Sequence, residues 1–147
     1  LLAAAMTPSD EGVPAQRVVD LTRGLPAHVR LEHDALDPAA CFAAAFGRVL
    51  LNAVLLAAEC LQKGGVIRLA GGAQDVFVQI EGPDAAWPAG TAACVTDAAE
   101  AQRALSAWQA PQMALTTVIA HETGVRLSVL LAPNPAAQVP ILRVGGV

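Results

Sequence analysis

The chain has 147 residues, 54% apolar and 15% charged, with 9 Lys+Arg against 13 Asp+Glu and a net charge of −4. One ordinary domain with ample core material is implied, which excludes a multidomain enzyme carried whole and an intrinsically disordered chain. The acidic balance and the 3% aromatics with no Tyr supply neither a phosphate-binding face nor a base-stacking platform, so nucleic acid is excluded as a partner.

Residues 1–6 are apolar, but they have no basic flank and are too short for a secretory signal. With Leu1 in place of an initiator methionine, they read as a cut inside a longer polypeptide. Residues 7–12 (TPSDEG) form a polar linker. Residues 13–23 carry Val18, Val19 and Leu21 among polar residues and predict a short helix, stopped at Gly24 and Pro26. Residues 29–33 (VRLEH) alternate as a half-buried strand does. Asp37-Pro38 then predicts a helix start, Asp as N-cap and Pro at the first helical position. The helix is expected over 38–62. Phe42, Phe46, Leu50, Leu51, Val54, Leu55 and Leu56 make it apolar all round, hence buried between layers. Its oily stretch, 43–58, is interrupted by Gly47, Arg48 and Asn52 and is too short to span a bilayer, so no membrane association is expected. Gly64-Gly65 ends it.

Residues 66–70 predict a strand, Gly71-Gly72 with Asp75 a turn, and residues 76–81 a strand pairing back. Residues 82–96 read as loop. Asp97 with Glu100 predicts a capping box for a helix to about Trp108. Pro111 opens a helix that Gly124 closes. Residues 125–131 are a strand, 133–137 a turn, and 139–144 a last strand with Pro140 inside it. Hairpin connections around Gly71 and Asn134, without strict βαβ alternation, predict an α/β fold. It is a two-layer sandwich of a mixed β-sheet with helices on one face.

Cys41, Cys60 and Cys94 make no CxxC pair and no disulfide framework, as expected of buried thiols in the reducing cytosol. His121-Glu122 has no second histidine at metal spacing, so no metal centre is expected. His28 reads as a solvated loop residue and Asp10-Glu11 as solvated linker charges. Asn52 reads as a core polar group bonded to backbone or water, with a functional role as the alternative. No nucleophile elbow is present.

The most specific pattern runs from Arg48 through Asn52, Leu56 and Glu59 to Gly64-Gly65 and Leu69. It resembles the N-box helix of the histidine-kinase ATP-binding fold, with its exit through Gly-Gly into a strand. That resemblance implies two asparagines four apart, followed by a lysine. The first position is Asn52, but the others are Leu56 and Glu59. Leucine cannot hold Mg²⁺ or phosphate, and glutamate repels polyphosphate. After the strand at 76–81 the fold would show Asp and Gly-x-Gly, where this chain has Glu81-Gly82-Pro83-Asp84. Before the last helix it would show a glycine-rich phosphate cradle, where this chain has Ala110-Pro111-Gln112-Met113 and Pro111 removes a donor. Bulky Leu56 and Met113 would fill the vacated space.

The ordered set is similar to the ChpT family of histidine phosphotransferases, in which a helical hairpin carries the phosphorylated histidine ahead of a degenerate kinase-like domain. Leu2-Ala3-Ala4-Ala5, Leu21-Thr22-Arg23-Gly24, Val29-Arg30-Leu31-Glu32 and the stretch from Gly124 to Val129 join the match. The resemblance implies that residues 1–12 end the hairpin and link it to a degenerate kinase-like α/β domain over 13–147. It implies a non-catalytic part of a cytoplasmic phosphorelay protein. No cofactor is expected at the degenerate positions Asn52, Leu56, Glu59, Glu81 and Pro111, and no metal. Expected partners are response-regulator receiver domains, a hybrid histidine kinase, and a second copy dimerised through the hairpin. The phosphohistidine, part of a His-Asp dipeptide, is expected upstream of Leu1. His33-Asp34 with Pro38 fits a kinase-like His-Asp-x-x-x-Pro pattern and is a secondary candidate, read otherwise as a strand-end histidine in a turn. A divergent active ATP-binding kinase domain and a binding-only module are the alternatives.

Overall fold

The computed structural model describes residues 12–130 and 139–146. The expected hairpin end, the linker ahead of Gly12, and the turn at 133–137 lie outside them. The chain enters as β1 (Val13–Pro14), α1 (Ala15–Leu21) and a 3₁₀ turn (Thr22–Gly24). Next come β2 (Val29–Leu36), β3 (Cys41–Phe42), α2 (Ala44–Glu59), β4 (Gly65–Gly71) and β5 (Asp75–Glu81). Then follow α3 (Thr91–Thr96), α4 (Ala98–Ser106), α5 (Pro111–Thr123), β6 (Arg126–Leu130) and β7 (Ile141–Gly145).

Five strands form one sheet in the order β2-β4-β5-β7-β6, and β1 and β3 make a separate ribbon. The β2–β4 pair is parallel and the others antiparallel, so the sheet is mixed, as the hairpin spacing implied. Alternation decides which side of each strand is dry. Ile67 and Leu69 of β4, Val76, Val78 and Ile80 of β5, and Leu142 and Val144 of β7 are buried. They meet Phe46, Val49, Leu50, Ala53, Val54 and Ala57 of α2 in one core. Arg68, Gln79 and Arg143 alternate with them on the other, half-exposed face. The helices thus cover one face, and the fold is the two-layer α/β sandwich that was expected.

Several boundaries differ, among them Val13–Pro14, which is a strand, and β2, which runs to Leu36; those below have a local reason. Asp37-Pro38 does not start α2. Asp37 Oδ1 accepts from the Ala39 N–H at 2.9 Å, and its carbonyl accepts from the Ala40 N–H at 3.1 Å. An Asp before Pro closes a turn as readily as it caps a helix. Phe42 consequently sits in β3, paired with Val13, and stacks on Phe46 with ring centroids 5.2 Å apart. The end of α2 also moves, to Glu59, and Leu61 folds back to complete burial. Gly65 (φ +150°) must be glycine, because a Cβ there would lie 2.3 Å from the Glu81 carbonyl oxygen.

The loop read over 82–96 contains α3, opened by Gly90 at φ +88°. Only half of the capping box forms. Asp97 accepts from the Ala99 N–H at 2.9 Å, but its own N–H already donates to the Ala93 carbonyl, so Glu100 pairs with Arg103 instead. Pro140 precedes β7 and removes no ladder bond, and its carbonyl accepts from Trp87 Nε1 at 2.7 Å.

Among the described residues no helix is long and apolar enough to cross a membrane. Leu51 is buried, whereas Leu55 is only partly so. Leu51→Ala should therefore cost about 2–5 kcal/mol in urea melts, and Leu55→Ala clearly less. Equal losses would mean that the outer side of α2 is packed as tightly as the sheet side.

Candidate functional site

On α2, Arg48, Asn52, Leu56 and Glu59 follow the helical repeat and share a face. The start of α5 meets the middle of that face. Ala110, at φ 44° and ψ 65°, turns the chain, and Pro111 occupies the first helical position. Asn52 is fully buried. Its Nδ2 donates to the Arg48 carbonyl at 2.8 Å, and its Oδ1 accepts from Gln112 Nε2 at 3.0 Å. Thr116 Oγ1 donates to the Gln112 carbonyl at 2.7 Å. An amide buried in an apolar helix would be costly without partners, and this one is tied to α5. Among the described residues, Arg48 Nε is buried without a hydrogen-bond partner, one turn before Asn52.

One turn further on, Leu56 enters a second apolar cluster with Cys94, Ala101, Met113 and Val118. Leu56 and Met113 thus occupy the same cluster. A cavity of about 130 Å³ lies beside it, lined by Cys94, Glu100, Arg103 and Met113 among others.

The remaining sequence candidates are dispersed. Glu59 is exposed at the last turn of α2, and partial burial raises its pKa. The neighbouring Cys60 thiol is pushed up to about 11, by burial first and by Glu59 second. Cys94 is raised as well, by burial and then by Glu100. Neither thiol is a ready nucleophile at neutral pH. Glu81 faces away from the helices. It pairs with Arg68, whose Nε also donates to Glu32 Oε2 at 2.8 Å, and together the two carboxylates hold the guanidinium charged.

His33 is not in a turn. It lies in β2 with Asp34, where the register shifts between Glu32 and Ala35, and both side chains are exposed. His28 is in a turn ahead of β2. His121 lies on α5 beside Glu122, with Nε2 at 2.8 Å from the Cys94 carbonyl oxygen. Among the described residues no group of His, Cys, Asp and Glu could hold a metal ion.

The structure therefore brings together Asn52, Leu56 and the helix start at Pro111, and leaves Glu59, Glu81 and His33 apart. The residue that sequence reasoning missed as a partner is Gln112. Its signal was a lone polar side chain just after Pro111, ahead of Met113-Ala114-Leu115.

Residues 16–134 match the family model described as histidine phosphotransferase C-terminal domain. A solved structure described as a bacterial phosphotransferase is similar in fold. The TM-score is 0.62 at 15% sequence identity, covering 98% of this chain and 69% of that one. No curated protein matches the chain.

A double-mutant cycle tests the tie between α2 and α5. Asn52→Ala should cost about 1–3 kcal/mol, because it strips the partner from buried polar groups. The coupling between Asn52→Ala and Gln112→Ala should be about 0.5–1.5 kcal/mol in urea melts. Additive losses would mean that the bond contributes nothing to joining the helices.

Proposed function

The chain belongs to the histidine phosphotransferase C-terminal domain family, and from that membership we propose that its part in a phosphorelay is supportive, not catalytic. In this reading a hybrid histidine kinase passes phosphate from its receiver aspartate to a histidine in a helical hairpin ahead of this domain. The histidine then passes it to the aspartate of a response regulator. Phosphoryl transfer of this kind depends on positioning and electrostatics. The domain would fix the geometry of the hairpin, through which two copies pair, and add docking surface. The receiver would bring the Mg²⁺, so the domain itself would need neither metal nor nucleotide. A cytoplasmic setting follows from those partners.

One observation carries the reading: the helix face that resembles a nucleotide-facing N-box is occupied by the protein itself. Asn52 is committed to Gln112 and Leu56 lies in a buried cluster with Met113. The cavity of about 130 Å³ beside that cluster is well below the roughly 300–1,000 Å³ of small-molecule sites. The three histidines favour an acceptor elsewhere. His28 lies in a turn, His33 in an irregular strand, and His121 has its Nε2 engaged by a carbonyl.

Calorimetric titration with Mg·ADP should give no saturable heat. Binding tighter than about 100 μM would favour a divergent active kinase domain. Incubation with a radiolabelled phospho-receiver should leave the chain unlabelled. Stable label, abolished by His33→Gln or His121→Gln, would place the acceptor inside this domain and overturn the division of labour.

A further inference from the structure

The two edges of the sheet are built differently. At the β2 edge the ladder is interrupted by the irregularity at His33-Asp34, a device that discourages strand addition. At the other edge, β6 pairs in unbroken register with β7 from Arg126 to Leu130. Among the described residues nothing pairs on its far side, and no backbone hydrogen bond ties it to α3. Four of its five residues are half-buried and Arg126 is exposed. Among the described residues, alternate N–H and C=O groups of β6 therefore have no ladder partner on that side, where α3 packs beside the strand.

A groove runs along each face of this edge. On the helix side it holds about 310 Å³, lined by Val95, Thr117, Ala120, His121 and Leu127 among others and, like the outer groove, bordered by Arg126 and Ser128. On the outer side it holds about 290 Å³, lined by Asp75, Arg126, Ser128 and Arg143 among others. Gly145 keeps the outer groove open, since a Cβ there would come 3.3 Å from Asp75 Oδ1. Arg143 is neutralised by Asp75, with Nε at 3.0 Å and Nη2 at 2.7 Å from the same oxygen. Arg126 has no carboxylate partner among the described residues. Among the described residues Arg126 therefore brings one positive charge without a carboxylate partner to both grooves, on a chain whose net charge is −4.

We propose that β6 accepts an extended segment of a partner protein as a sixth strand, with acidic and apolar side chains alternating along it. Side chains of an added strand point to opposite faces in turn. Those on the outer face would lie beside Arg126, and those between them would meet Val95, Ala120 and Leu127 in the groove under α3 and α5, which is part polar and part apolar. Main-chain bonds would give affinity, and the two grooves specificity. A second copy of this chain fits less well, because its own β6 would bring another Arg126 to the same outer face. The surface is independent of the nucleotide-site reading, since none of Asn52, Leu56, Glu59, Glu81 and Pro111 lines it.

Amide NMR of the ¹⁵N-labelled chain tests this with three acetylated heptapeptides. One is Ser-Glu-Val-Glu-Val-Glu-Ser, the second replaces Glu by Lys, and the third replaces Val by Pro. The acidic peptide should shift the amides of β6, Val95 and Ala120 saturably. The lysine peptide should bind about fivefold more weakly, and the proline peptide should fail because its two prolines remove N–H donors and disfavour an extended ladder strand. Arg126→Glu should invert the preference, and Arg126→Gln should narrow it, each with the rest of the spectrum unchanged. Equal binding of the acidic and lysine peptides, binding of the proline peptide, shifts confined to β2, or no shifts would overturn the proposal. So would β6 shifts on simple dilution, which would mark a second copy as the occupant. A gain in peptide affinity on deleting residues 1–11 would overturn it too, by marking the chain's own N-terminal segment.

Discussion

The fold depends on covering α2. A helix with Val49, Leu50, Ala53, Val54, Leu56 and Ala57 all essentially inaccessible cannot lie on a surface. The sheet takes one side of it, through Ile67, Leu69, Val76, Val78, Leu142 and Val144, and α5 takes another, through Ile119 and Ala120. Each fully buried aliphatic side chain contributes about 1.5–3 kcal/mol, so this one helix organises most of the apolar burial. The strand order follows from the same demand. The central strands β4, β5 and β7 present their apolar faces to the helix layer, and the edge strands β2 and β6 carry more polar or half-exposed residues.

Within that apolar cylinder, Asn52 imposes a specific rule. A buried amide must find donors and acceptors or cost several kcal/mol. Its Nδ2 is satisfied by the preceding turn of its own helix and its Oδ1 by Gln112. The second bond exists only when α5 begins at the right height along α2. Leu56 and Met113, in the same cluster one turn on, reinforce that placement by shape. One polar contact and one apolar contact together give the α2–α5 interface a single register.

Much of this was legible in the sequence because two periods are easily read. The alternation in Val76-Phe77-Val78-Gln79-Ile80-Glu81 gave β5 its dry face, and Glu81 falls on the wet one by parity. That parity also accounts for the distance of Glu81 from Asn52. The apolar run after Ala44 gave α2, and Gly64-Gly65 gave its exit. What was not legible was turn chemistry and pairing at a distance. Asp37-Pro38 suits a cap and an Asx-type turn equally, and only the pairing of Cys41–Phe42 with Val13–Pro14 selects the turn. The short α3 was hidden among prolines and glycines, because six residues are too few for a helical period to emerge. Gln112 as a partner of Asn52 required knowing where two segments 60 residues apart in sequence would meet.

The packing of Asn52 and Leu56 on α2 also has a physical logic of its own. A nucleotide site is a set of polar groups held unpaired until a ligand arrives, and such groups destabilise the empty protein. In this chain Leu56 and Met113 share one buried cluster and Gln112 bonds Asn52 across the helices, an arrangement that gives packing where open polar groups would give cost. The expected gain is rigidity, since a filled cluster has no reason to open. A domain whose task is to hold a neighbouring hairpin and a docking surface in fixed relation is served by that exchange, whereas one that had to admit and release a nucleotide would not be. On the proposed reading, the sheet-and-helix frame and the filled α2 face are consistent with each other: the frame would supply geometry, and a filled face would not need the motion that ligand exchange demands.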